Sequence, residues 1–223
     1  MNFFALFLGL SFLFLSGCAG LNSSAKILPP SGFLNSQTAQ IILVQPSSKN
    51  KIRVRLFTFE KENGRWQKVF MGMDAVVGRN GVAPDGKKRE GDGRVPSGVF
   101  ALQRAFGYAP QFQTGLEYSR AGENDFWVDD PASNQYNQWV RGPTSAKSFE
   151  VLRRKDKLYQ FAAVIEYNTE PIVAGNGSAI FLHIWRGYNQ STSGCVALSE
   201  RNLRRVLKWL DKNKNPQIVI LEK

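Results

Sequence analysis

The sequence predicts a mainly β protein with one substantial C-terminal α-helix, its strands closed into a sandwich or a barrel-like sheet. Three observations carry this reading. Short apolar runs recur with period two or as continuous stretches of strand length. Turn residues punctuate them at close intervals: "ENG" at 62–64, "GRNG" at 78–81, "PDG" at 84–86, "GDG" at 91–93 and "PSG" at 96–98. Only one stretch, near the C-terminal end, keeps a helical period.

The elements follow in order. "IILVQ" at 41–45 and "KIRVRLFTFEK" at 51–61 are predicted strands. The second alternates Ile52, Val54, Leu56 and Phe59 with Arg53, Arg55 and Thr58, apart from one doubled step at Phe57. "ENG" turns the chain, and "RWQKVF" at 65–70 returns it. "GVFALQRAF" at 98–106 reads as strand, and "FWVDDPASNQYNQWVR" at 126–141 as a strand followed by a surface loop. "LYQFAAVIEYN" at 158–168 and "SAIFLHIW" at 178–185 are apolar on both faces, which places them centrally in a sheet. Ser199 is a favourable N-cap, with Leu203, Val206, Leu207 and Leu210 at helical spacing through "ERNLRRVLKWLDK". "NKNP" stops that helix and "QIVIL" at 217–221 is the last strand.

The first residues are set apart. Phe3 to Leu15 is an uncharged apolar run, too short to span a membrane, followed by small residues and Cys18. "LSGC" at 15–18 resembles the lipobox of bacterial lipoproteins, although no Lys or Arg precedes the apolar run. The resemblance implies cleavage before Cys18, lipidation of its thiol, and export. The expected organisation is therefore a signal peptide at 1–17, lipidated Cys18 with a Ser/Asn/Gly/Pro-rich tether to residue 39, and a folded domain at 40–223. Ala19 stands where an acidic residue favours inner-membrane retention, so the expectation is a lipid-anchored, periplasm-facing protein of the outer membrane.

With Cys18 assigned, the mature chain has one free thiol, Cys195, and one histidine, His183. No internal disulfide is then possible, nor a structural zinc site built from Cys and His, and no metal or cofactor is expected. Lys+Arg 29 against Asp+Glu 18 gives a net charge of +11. Such a balance suits nucleic acid, an anionic lipid surface or an acidic polymer. Export argues against nucleic acid. The domain is expected to act as a monomer.

The lone histidine and the free cysteine stand twelve positions apart in "LHIWRGYNQSTSGC" at 182–195. His183 ends a predicted central strand, on the same face as Phe181 and Trp185. The loop after it is long enough to bring Cys195 back to the imidazole. The chemistry that would use this is nucleophilic: an imidazole takes the thiol proton, the thiolate attacks a carbonyl, and the same imidazole later activates the acceptor. Gly194 would let the backbone approach the reacting carbonyl, with neighbouring N–H groups binding the oxyanion. On composition and spacing alone a buried inert cysteine and a core histidine remain the alternative.

"FLHIWRGYNQSTSGCVALS" resembles the signature of the L,D-transpeptidase catalytic domain family (YkuD type). "GDGRVPSGVF" at 91–100 is similar to a second family segment, with Val95 in place of its Thr, and the likeness runs in order over roughly 40–223. The resemblance implies a β-rich fold with a catalytic cysteine in a groove. It also implies cleavage of the diamino acid–D-alanine bond of a peptidoglycan stem peptide, with transfer of the acyl group to an amine or to water. On this reading Cys195 is the nucleophile and His183 the base, with Ser193 and Gly194 around the oxyanion. Ser193 replaces the family's second histidine, Ala197 its Asn or Arg, and the His–Cys spacing is shorter than the common pattern. A hydrolase on the same scaffold and a non-catalytic wall-binding lipoprotein are the competing expectations. Arg186 is a candidate for a stem-peptide carboxylate. Trp127, Tyr136 and Asn137 are candidates for the groove wall, and Asp129 and Asp130 for the diamino acid's ammonium. The bland alternatives are a solvated arginine, core aromatics and turn-capping aspartates.

Overall fold

The computed structural model describes residues 37–222; the signal-like run, Cys18 and most of the tether lie outside the described residues. In chain order the elements are β1 (Gln40–Pro46), β2 (Arg53–Glu62), β3 (Arg65–Lys68), β4 (Met73–Val76), β5 (Val82–Ala83), β6 (Val95–Pro96), β7 (Gly98–Ala101) and β8 (Arg104–Gly107). They continue with β9 (Glu117–Arg120), β10 (Asp125–Val128), β11 (Trp139–Arg141), β12 (Phe149–Val151), β13 (Phe161–Val164), β14 (Phe181–Ile184), β15 (Val196–Leu198), α1 (Glu200–Trp209) and β16 (Gln217–Ile220). The fold is mainly β with one α-helix near the C-terminal end, as the sequence predicts.

One mixed sheet dominates, in the order β7-β16-β1-β2-β4-β15-β14-β13-β8-β9, with β3 attached to β2. Consecutive strands β7 and β8 lie near opposite ends of this path, yet only Leu102 and Gln103 separate them. A link that short draws the two ends towards each other, so the sheet curls. Leu102 is fully buried at the corner, and its N–H donates to Pro216 O at 3.0 Å. The predicted single strand "GVFALQRAF" is thus two strands with a bend. It changes partners midway, from β16 to β13 and β9.

Alternation sorts the side chains. From the central strands Leu56, Ala75, Leu182, Val196 and Ile218 face one way, into the core that also takes Leu203, Val206, Leu207 and Leu210 from the helical segment and its cap. Their neighbours Phe106, Ala162, Val164, Phe181 and Cys195 face the other way, against Trp127, Tyr159 and the small sheet β11-β10-β12. A third cluster, Ile41, Leu43, Phe57, Phe59 and Val219, covers the far end of that second face. Burial on both faces explains why β13 and β14 read as continuous apolar runs.

Helix α1 starts where expected. Ser199 Oγ accepts from the Asn202 N–H at 3.4 Å, and Glu200 occupies the first turn. It ends at Trp209, short of the predicted Lys212. Leu210 is extended and buried, and the Asp211 N–H donates to Gln40 Oε1 at 2.8 Å while that of Lys212 donates to Gly115 O at 3.1 Å. Tertiary acceptors thus replace the helical ones. Among the described residues no helix is long and apolar enough to cross a membrane.

Candidate active site

Strands β14 and β15 are parallel neighbours, with Leu182 opposite Val196 and His183 opposite Ala197. One step back along this register puts Cys195 beside Phe181, whose N–H reaches Cys195 Sγ at 3.3 Å. Paired residues of a parallel ladder share a face. His183 and Cys195 therefore project from the same side of the sheet, roughly 8 Å apart at Cα from strand spacing and rise. The two residues in register with His183 are Ala162 and Ala197, whose small side chains leave room for the imidazole. Both candidate side chains line one cavity of about 550 Å³.

The loop between them is held at its far end. Thr192 bridges Gly78: its N–H donates to Val77 O, and its own carbonyl accepts from the Arg79 N–H. Thr192 Oγ1 donates to Cys195 O at 2.7 Å and accepts the Gly194 N–H at 3.2 Å. A β-carbon on Gly194 would sit 3.0 Å from Arg94 O, so glycine is needed here for backbone packing. In the middle of the loop the Arg53 guanidinium stacks 4.1 Å over the Tyr188 ring and also bonds Asn189 Oδ1.

The resting electrostatics differ from the sequence expectation of an ionised thiol. Burial pushes the Cys195 thiol up to about 12, against the opposing Phe181 N–H, and pushes the His183 imidazole down to about 4. Each side chain is only 5–6% exposed. Sγ donates to Ala179 O at 3.3 Å, so the thiol proton is directed into the backbone. His183 Nδ1 lies 2.7 Å from Ile184 O; only the Nδ1–H tautomer makes that bond, which leaves the lone pair on Nε2. The pair is poised as neutral thiol and neutral base.

The other candidates divide. Ser193, Gly194 and Arg186 line the cavity with Cys195 and His183. Trp127, Tyr136 and Asn137 are buried at 1–3% exposure and stand behind the wall, which corrects the expectation that they form its surface. Trp127 Nε1 donates to Asn137 Oδ1 at 2.8 Å, and the same oxygen accepts the Ala179 N–H at 3.1 Å. Tyr136 OH donates to Glu90 Oε2 at 2.6 Å. These residues fix the segment 177–181 that carries the partners of Sγ. Asp130 caps its own turn, accepting from the Ala132 and Lys147 N–H groups, whereas Asp129 lines the cavity.

Several lining residues escaped the sequence reading: Lys88, Glu90, Glu150, Arg154 and Tyr159. The Tyr159 ring packs edge-on against the His183 imidazole at 5.1 Å and against Phe181 at 5.4 Å. Arg154 covers Tyr159 at 5.0 Å. Burial, with the neighbouring charges of other acids added, raises the pKa values of Asp129 and Glu150. Among the described residues no group of three or more His, Cys, Asp and Glu is arranged to hold a metal.

The sequence profile of the L,D-transpeptidase catalytic domain (YkuD) matches residues 39–220. Two solved structures are similar. The helical cell shape determining protein Pgp2 from Campylobacter jejuni is 19% identical, over 83% of this chain and 48% of its own, with a TM-score of 0.44. Bd1075 from Bdellovibrio bacteriovorus is 16% identical, over 82% and 48%, also with a TM-score of 0.44. The chain spans about half the length of the solved structures it matches. No curated protein sequence matches it significantly.

Proposed function

The chain belongs to the L,D-transpeptidase catalytic domain family, and from that premise we propose that it is a cysteine-dependent acyltransferase acting on peptidoglycan stem peptides. The observation that supports this reading is the pairing of β14 with β15, which presents His183 and Cys195 on one face into a shared cavity.

His183 Nε2 takes the thiol proton once substrate has entered and the Ala179 hydrogen bond is surrendered. Sγ attacks the carbonyl between the diamino acid and D-alanine, forming an S–C bond. The C–N bond then breaks, and the imidazolium returns its proton to the departing amine, leaving a thioester and free D-alanine. An incoming amine attacks the thioester, His183 receives its proton, and the thiol is restored. Water in the amine's place gives hydrolysis. The Ser193 hydroxyl and the N–H groups around Gly194 are the proposed oxyanion donors; Gly194 N–H must leave Thr192 Oγ1 to serve. The carboxyl groups of Asp129 and Glu150, which line the cavity, are the proposed partners of the diamino acid's ammonium in their ionised form.

Ser193 and Ala197 depart from the family pattern on either side of the nucleophile, which favours keeping water as the second acceptor. One incubation with a disaccharide tetrapeptide tests the proposal. Release of D-alanine with a cross-linked dimer supports the transferase, and release without dimer the hydrolase. Absence of any release by folded protein overturns both and leaves a wall-binding domain. Membrane attachment through lipidated Cys18, facing the periplasm, is proposed from the sequence; a Cys18→Ala variant still retained in membranes would contradict it.

A further inference from the structure

Beside the imidazole lies a group of charges that the acyl-transfer step does not use. Arg154 Nε and Nη2 donate to the two oxygens of Asp156 at 2.8 and 2.7 Å, a bidentate fork, and Arg186 Nη2 donates to Asp156 Oδ2 at 2.8 Å. Arg154 Nη1 donates to Glu150 Oε2 at 3.2 Å. Arg154 and Arg186 line the cavity, whereas Asp156 lies outside its lining. Each nitrogen of Arg154 already donates once. Arg186 keeps two nitrogens open: among the described residues its Nε and Nη1 hydrogen-bond to no protein group.

Both guanidinium groups belong to the histidine's side of the cavity. Arg186 follows His183 by three residues, and Arg154 covers the Tyr159 ring whose edge meets the imidazole. Burial is the main reason the imidazole resists protonation, and the charges of Arg154 and Arg186 add to it. The departing amine must come within about 3 Å of His183 Nε2 to receive its proton. In a leaving amino acid the α-carboxylate is joined to that nitrogen through a single carbon. Protonation by His183 therefore brings a terminal carboxylate to the side where these cations stand.

Resting on the acyltransferase reading, we propose that Arg154 and Arg186, held as a pair by Asp156, form a receptor for the free α-carboxylate of the leaving residue. Arg186 supplies the open fork, Arg154 a fixed charge, and Asp156 acts as a positioning residue. The new element is which side chains enforce the terminal position of the scissile bond that the resemblance implies: amidating or extending that carboxylate removes the ligand of Arg154 and Arg186. The diamino acid's own side-chain carboxylate offers the same chemistry but is attached to the acyl half, which stays on Cys195.

The test compares three tetrapeptide muropeptides on the full-length protein: the free acid, its C-terminal amide, and one amidated only on the diamino acid's side chain. We expect KM for the C-terminal amide to rise by roughly 10- to 100-fold over the free acid, the size of a lost charge-assisted contact, with kcat little changed. The side-chain amide should behave like the free acid. Arg186→Gln should erase the difference between free acid and C-terminal amide, and Arg186→Lys should restore part of it. Arg186 is more than half exposed, so these variants are expected to fold. Binding of the same peptides to the Cys195→Ala protein, followed by calorimetry, reads the preference without turnover. Tighter binding of the free acid by a wild type that turns nothing over would overturn the acyltransferase and keep the receptor. Equal binding of free acid and C-terminal amide, or a preference that follows the side-chain carboxylate, overturns the receptor whether or not the protein is active.

Discussion

Glu60 and Asp129 are both partly buried carboxylates on this β scaffold, and their surroundings are opposites. Burial alone would raise Glu60, but hydrogen bonds from Lys214, Gln40 and Trp209 outweigh it and hold the carboxyl below its usual range. Those partners tie β2 to the start of β1, the end of α1 and the 3-10 turn Lys212–Lys214. At Asp129 burial prevails, the charge of Glu90 adds to it, and Oδ1 is buried without a hydrogen-bond partner. A carboxylate surrounded by donors is finished architecture; one facing a cavity with valence to spare is equipped for something that arrives.

The sharpest break between the two regions is catalytic. Cys195→Ala should abolish D-alanine release, while Glu60→Gln should leave activity per folded molecule unchanged; a steady-state assay on both checks this. Next, His183→Ala should lower kcat/KM by about 10²- to 10⁴-fold, the usual worth of a general base. Residual activity above a tenth of wild type would remove His183 from that role.

Stability should separate the regions in the other direction. Glu60→Gln breaks charge-assisted bonds and should cost about 1–3 kcal/mol in denaturant unfolding. His183 contributes a pH dependence. The unfolded imidazole takes its proton near 6.5, the folded one only near 4, so the unfolded state binds more protons between those values. Its contribution is present above pH 6.5 and is lost as pH falls towards 4. Unfolding curves across that window should show the loss, and His183→Gln should flatten it. Smallest of all, Asp129→Asn removes a charge that the folded state disfavours and should raise stability slightly, by under about 1 kcal/mol. A clear loss would mean that Asp129 is architecture like Glu60.

How much of this was legible depended on how local the cause was. The strand–loop–cysteine order around His183 and Cys195 is contained in thirteen residues, and the capped start of α1 is just as local. The end of α1 was not legible, because Gln40 and Gly115, distant in sequence, supply the acceptors that stop it. Nor was the bend at Leu102, since nothing in "GVFALQRAF" marks that its halves pair with strands near opposite ends of the sheet. For Trp127, Tyr136 and Asn137 the sequence offered aromatic and amide groups in a loop-like stretch but no register, and register decides which way they face. Tyr159 falls inside the predicted central strand "LYQFAAVIEYN" but lies in the turn just before β13, where its ring meets the imidazole, and nothing local marks Arg154 and Asp156 as its neighbours. The neutral resting pair was hidden for the same reason: a pKa follows burial, which spacing does not report.

The position of β16 has a consequence for how the protein is made. It lies between β1 and β7, which precede it by more than a hundred residues, and it joins both. A nascent chain that has emerged only as far as Asn215 already carries His183, Cys195 and the helix, yet two strand edges await their shared neighbour. Translation therefore delivers Cys195 before the sheet that shelters it is complete, and a ribosome-stalled chain ending there should be readily cut by protease until β16 is released.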